Sequence, residues 1–150
     1  MNRSIVVSAA MILRDGELLI SQRKNGLWEF PGGKIESGED PRRTVERELK
    51  EELDLSVKAG PIYDVVHHEY PELTVTMLVF LCKLTGEYAP KLLDGPIDVK
   101  WVPLAALCPE EFLEADRPMI AALRCHHEQV LELAGNLWQS FGCQKKEENN

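Results

Sequence analysis

Residues 32–55 read GGKIESGEDPRRTVERELKEELDL, a glycine bend that runs into a glutamate-rich helix. Asp40-Pro41 marks the helix start, with Asp40 as N-cap and Pro41 at the first helical position. The helix is expected to reach about Leu53. At about 100° per residue, Glu51 and Glu52 fall about 60° and 40° to either side of Glu48, so three carboxylates share one stripe. Val45, Leu49 and Leu53 form the adjacent apolar stripe and face the core. Arg43, Glu46, Lys50 and Asp54 take the solvent side.

Like charges three and four residues apart repel. A solvated acidic face is the ordinary explanation of such a stripe. A bound cation is the more direct offset here, because the preceding Pro31-Gly32-Gly33 lets backbone approach a ligand and offers carbonyl oxygens. Mg²⁺ prefers such hard oxygens, keeps several waters and is shared with phosphates.

Around this segment the chain reads as alternating short elements. Residues 4–13 are β-branched and apolar, Asp15-Gly16 is a hairpin turn, and 17–23 is the return strand. LWEF (27–30) is a short strand, followed by a sharp loop at Pro31-Gly32-Gly33. A second strand pair is expected at about 56–69 and 73–84, a loop at 85–97 and a short strand at 98–102. Apolar residues at helical spacing from Asp116 to Phe141 predict one long amphipathic helix. This order predicts a single α/β (α+β) domain over residues 1–142, with QKKEENN closing a disordered polar tail at 143–150.

The 150 residues are 44% hydrophobic and 28% charged, enough for one globular core. No apolar run approaches a membrane span. The N-terminal stretch reads as strand and turn and not as an export signal, so the cytoplasm is the expected compartment. Cys82, Cys108, Cys125 and Cys143 are scattered and indicate neither a zinc knuckle nor a disulfide framework. His67-His68 and Cys125-His126-His127 lack a partner at metal-ligand spacing and read as structural. A net charge of −8 argues against a nucleic-acid polymer as partner but not against a phosphate substrate received through a cation.

The same residues resemble the Nudix signature, Gly-x5-Glu-x7-Arg-Glu-U-x-Glu-Glu-x-Gly-U, with U bulky and aliphatic. Here it reads Gly33, Glu39, then Arg47-Glu48-Leu49-Lys50-Glu51-Glu52-Leu53-Asp54-Leu55, and one position departs: Asp54 stands where the family has Gly. That departure falls at the helix end, where a left-handed backbone and local strain are expected. LWEFPGGKIESGE and the stretch Phe112–Leu123 are similar to the MutT and CTP-pyrophosphohydrolase branch, so the resemblance covers about residues 3–125.

The resemblance implies a mixed sheet sandwiched between helices. It implies Mg²⁺, replaceable by Mn²⁺, held by Glu48, Glu51, Glu52 and the Gly32 carbonyl. Glu39 would support the cluster and Arg47 would orient it. Glu48 is the expected general base, with Asp94 and Asp98 as loop alternatives. The implied substrate is a nucleoside triphosphate cleaved to monophosphate and pyrophosphate in nucleotide-pool sanitation, the base being 8-oxoguanine or a cytosine. Arg23 and Lys34 either touch the phosphates or face solvent. Asp116 reads the base, or simply caps the last helix, two compatible roles, and Phe30, Tyr70, Met77 and Phe80 are candidate walls of the base pocket. Two other readings stand: hydrolysis of another nucleoside diphosphate derivative, and a non-catalytic nucleotide-binding module. Monomer and homodimer are both left open.

Overall fold

The computed structural model describes residues 3–148, with side chains described to residue 142. Seven strands form one mixed sheet: β1 (Arg3–Arg14), β2 (Glu17–Gln22), β3 (Trp28–Glu29), β4 (Gly32–Lys34), β5 (Val57–Glu69), β6 (Leu73–Leu84) and β7 (Asp98–Pro103). The spatial order is β3-β2-β1-β6-β5, with β4 added to β1 and β7 to β2. β1 and β6 run parallel in long register, from Arg3 opposite Leu73 to Ile12 opposite Cys82. β5 returns antiparallel along β6.

Strand periodicity sorts side chains between two cores. Ala9 and Met11 of β1, with Met77, Val79 and Leu81 of β6, face one cluster. Ala10 and Ile12, with Phe80 and Cys82, face the other. A one-residue slip would exchange these sets, so burial on both faces fixes the register.

The helix α1 (Pro41–Leu53) covers the second cluster and buries Val45, Leu49 and Leu53 completely, as its apolar stripe requires. Full burial of each such side chain is worth roughly 1.5–3 kcal/mol. Asp40 caps it, accepting the Arg42 N–H at 2.8 Å. The helix ends at Asp54, whose backbone is left-handed at φ 53° and ψ 36°. Asp is a tolerated non-glycine residue in that region. Its carboxylate is held by Lys50 at 2.9 Å.

Two sequence expectations change here. Pro31-Gly32-Gly33 does not form a free loop, since Gly32–Lys34 is strand β4, paired antiparallel with Val7–Ala9. The pairing is very close: a Cβ on Gly32 would lie 2.1 Å from the Ser8 carbonyl oxygen. The single helix expected from Asp116 to Phe141 is two helices, α2 (Arg117–Cys125) and α3 (His127–Glu148), broken at His126 with φ −115° and ψ 34°. The apolar spacing continues across the break, so periodicity could not reveal it. The ring Nδ1 of His127 lies 3.1 Å from the Arg124 carbonyl at the end of α2.

α2 and α3 cover the first cluster with Met119, Ile120, Leu123, Val130 and Ala134. α3 also lies across β5, where a Cβ on Gly60 would meet the Trp138 ring at 2.4 Å. It continues through Glu148, into the stretch expected as a tail, and positions 149–150 lie outside the described residues. No helix among the described residues is long and apolar enough to cross a membrane.

Candidate active site

The segment that leads into α1 is locked to the helix by one arginine. Arg47 donates through Nε to Glu39 at 2.7 Å and through Nη2 to the other Glu39 oxygen at 3.0 Å. Its Nη1 reaches both Glu48 at 3.0 Å and Glu51 at 3.1 Å. The Thr44 hydroxyl adds a 2.6 Å bond to Glu39. These donors hold the Glu39 carboxyl down at about 2, with the Arg47 bond the largest cause. Glu39 and Arg47 thus form a fixed buttress, and Arg47 also pins the carboxylate stripe.

The stripe itself divides. Glu48 and Glu52 line a cavity of about 770 Å³ together with Arg23, Asn25, Glu29, Gly32, Gly33, Lys34 and Gly95. Glu51 is turned toward Arg47 and is 57% exposed. Of the three carboxylates expected to act together, Glu48 and Glu52 line the cavity and Glu51 does not. Gly33 makes room for this arrangement, since a Cβ there would lie 2.3 Å from the Glu48 carboxyl carbon.

Burial, the neighbouring Glu48 charge and a bond shared with Glu48 push the Glu52 carboxyl up to about 8. Glu29 and Asp94 raise it further. Asp94 therefore acts on the cluster, whereas Asp98 accepts the Val99 N–H at 2.8 Å. Among the described residues, no three His, Cys, Asp or Glu side chains form a ready-made metal cage. What the cavity offers is a close pair of carboxyls beside glycine backbone, hard oxygen donors that fit a divalent cation. A cation there would relieve the repulsion between Glu48 and Glu52.

A second cavity, of about 620 Å³, continues from the first and shares Arg23, Asn25, Glu29, Gly32, Gly33 and Lys34 with it. Phe30, Met77, Tyr70 and Asp116 line its far part. Asp116 is 3% exposed. It stands at the start of α2 but makes no capping bond, so the simple-cap reading is corrected. Its carboxyl accepts the Phe30 backbone N–H, while burial and then the Glu29 charge push it up to about 7.

Phe80 is also corrected. It lies three residues from Met77, an odd interval on a strand, so it points through the opposite face of the sheet. There it packs in the cluster under α1, with the Arg42 guanidinium 5.1 Å from its ring centre.

Glu29 is the cavity-lining acid that sequence reading missed. It lines both cavities, and burial pushes its carboxyl up to about 7 against the opposing effect of Arg23. Arg23 lies 3.6 Å away. The available signal was a lone acid inside the apolar run LWEF.

Comparison with known proteins agrees with this fold. The family model described as NUDIX domain matches residues 3–123, ending before α3. The chain is 34% identical over 96 residues to the 8-oxo-dGTP diphosphatase of Escherichia coli (strain K12), covering 64% of this chain and 73% of that protein. It is 46% identical over 63 residues to the CTP pyrophosphohydrolase of the same organism, covering 39% of this chain and 47% of that protein. The crystal structure of a MutT NUDIX hydrolase from Burkholderia pseudomallei matches with a TM-score of 0.70 at 29% identity, covering 80% of this chain and 98% of that one.

Proposed function

The chain belongs to the NUDIX domain family, and on that premise we propose that it is a nucleoside triphosphate pyrophosphohydrolase of the MutT type. It would release pyrophosphate and leave the nucleoside monophosphate, with Mg²⁺ as the working ion and Mn²⁺ able to replace it. The observation that carries this reading is the joined pair of cavities. One end presents Glu48 and Glu52 over glycine backbone, the other presents buried Asp116 among Phe30 and Met77, and the two share Arg23, Glu29 and Lys34.

Glu48, Glu52 and the Gly32 carbonyl are the residues that would hold the ion. When bound it would supply charge neutralisation at phosphate oxygens and a lowered pKa for an attacking water. Glu51 would join from the edge. Arg47 and Glu39 keep the carboxyls at fixed spacing, so little reorganisation is needed during reaction. Arg23 and Lys34 give positive charge where phosphates enter the cavity. Glu48 is the base we favour for taking the proton of the attacking water. It already accepts a bond from Arg47, which fixes its place beside the cavity.

At the base end, an ionised Asp116 accepts from ring or exocyclic N–H groups, as on cytosine N4 or guanine N1 and N2. Glu29 stands close enough to raise Asp116, so two acceptors face one pocket. That pattern fits the names of the two Escherichia coli relatives, one acting on 8-oxo-dGTP and one on CTP.

The test is a pyrophosphate-release screen with Mg²⁺ over the canonical ribo- and deoxyribonucleoside triphosphates, 8-oxo-dGTP, and representative sugar nucleotides. Turnover of a guanine or cytosine triphosphate to monophosphate and pyrophosphate is expected. Turnover confined to sugar nucleotides, or none, removes the proposal.

A further inference from the structure

Asp116 makes no capping bond in its own helix, so the placement of its carboxyl rests on the Phe30 N–H and on how the segment that carries it is held. The segment that carries it is held from two sides. On one side Leu113 donates its N–H to the Trp28 carbonyl at 3.0 Å, beside a short parallel bridge between Trp28 and Phe112. On the other, Ala115 donates its backbone N–H to the Tyr70 hydroxyl at 3.1 Å, across 45 residues of sequence. Ala115 is only 7% exposed. Without Tyr70 its N–H would lose this partner, and donors left unsatisfied in a mostly buried residue are costly.

Tyr70 is itself well fixed. It lies in the turn between β5 and β6, where Tyr70 and Leu73 exchange backbone bonds at 2.8 and 3.4 Å. Its ring packs edge-on against His68, with centroids 4.5 Å apart at 72°. His68 Nε2 in turn lies 3.8 Å from Glu114, the residue preceding Ala115. The ring also forms part of the wall of the same cavity that Asp116 lines.

We infer that Tyr70 is a positioning residue for base selection, its hydroxyl setting the placement of Asp116 through the Ala115 backbone. The inference rests on the reading of Asp116 as base reader and extends it to a residue on a separate strand connection. Tyr70 contributes no proton and no charge; it acts by holding the 113–116 segment against the β5–β6 turn. Pre-organisation of this kind is worth most where a buried acceptor has to meet a donor within a few tenths of an ångström.

The experiment compares wild type, Tyr70→Phe, Asp116→Ala and the double variant. kcat and KM are measured with Mg²⁺ for dGTP, 8-oxo-dGTP, dCTP and dTTP. Tyr70→Phe keeps the ring and removes only the acceptor. It should raise KM for the preferred triphosphate by roughly 3- to 10-fold, the loss expected for one hydrogen bond, with a smaller effect on kcat. It should narrow preference among bases by a similar factor. In the double variant preference should be no narrower than with Asp116→Ala alone, because Tyr70 acts through Asp116. Preference is a ratio, so any loss of folded enzyme cancels.

If Asp116→Ala shifts preference and Tyr70→Phe does not, the inference on Tyr70 fails and the base reading stands. A KM rise equal for all four triphosphates also overturns it, by showing a general packing role. If Asp116→Ala itself leaves preference unchanged, the base reading fails and takes this inference with it.

Discussion

Asp116 and Glu29 are two acids in one pocket, each pushed up to about 7 chiefly by burial. Their neutral forms suit the folded state better than their charged forms. Stability from this source is therefore complete below the ordinary value of 3.8 for Asp116 and is lost as pH rises through about 7. Asp116→Asn keeps the shape and removes the titration. Between pH 5 and pH 8 the variant should lose about 1–3 kcal/mol less stability than wild type, read by urea unfolding at both pH values. Equal losses would contradict the buried placement of Asp116. At this scale the sequence was legible where chemistry is written in residue type. Asp116 was visible as an acid beside an apolar run, but its choice between cap and cavity depended on a backbone angle that no residue type encodes. Glu29 was hidden because its burial comes from elements distant in sequence.

In α1 nearly everything follows from local rules. The Asp40-Pro41 start, the Val45, Leu49, Leu53 stripe and the left-handed Asp54 end are each dictated by neighbours within one turn or two. What spacing alone could not give is the split within the acidic stripe, since Arg47 draws Glu51 outward while Glu48 and Glu52 turn inward. One guanidinium serves Glu39, Glu48 and Glu51 at once, a fork geometry that an ammonium cannot reproduce. Arg47→Lys should therefore lower kcat by roughly 10- to 100-fold, in the range seen when groups that orient metal ligands are lost. It should also weaken activation by Mg²⁺, measured as the metal concentration giving half-maximal rate. A variant with wild-type rate and metal dependence would show that Arg47 does not orient the cluster. The α2–α3 break marks the opposite case, an unbroken apolar pattern over a backbone that bends at His126.

On the scale of the molecule, the sheet is the frame that brings these elements together. β1 pairs at once with β2, β4 and β6, so it places the glycine strand beside α1 on one side and Met77 in the base-side cavity on the other. The elements could be anticipated from hydrophobic period and turn residues, and the mixed sheet between helices from the family resemblance. The parallel pairing of β1 with β6 could not, because it joins segments about 70 residues apart in chain order. Phe80 shows the cost of reading a strand without its faces: it is apolar and near the right place, yet on the wrong side of the sheet. A net charge of −8 is compatible with a phosphate substrate only if positive charge is supplied locally, and the cavity has Arg23 and Lys34 for part of that task. Under the proposed function, the remainder would fall to a divalent ion on the carboxyl pair. Mn²⁺ binding followed by electron paramagnetic resonance, in wild type and in Glu52→Gln with folding checked by circular dichroism, tests this most directly. Wild type should show a binding site that weakens at least about tenfold in the variant. Equal Mn²⁺ affinity in two equally folded proteins would contradict it.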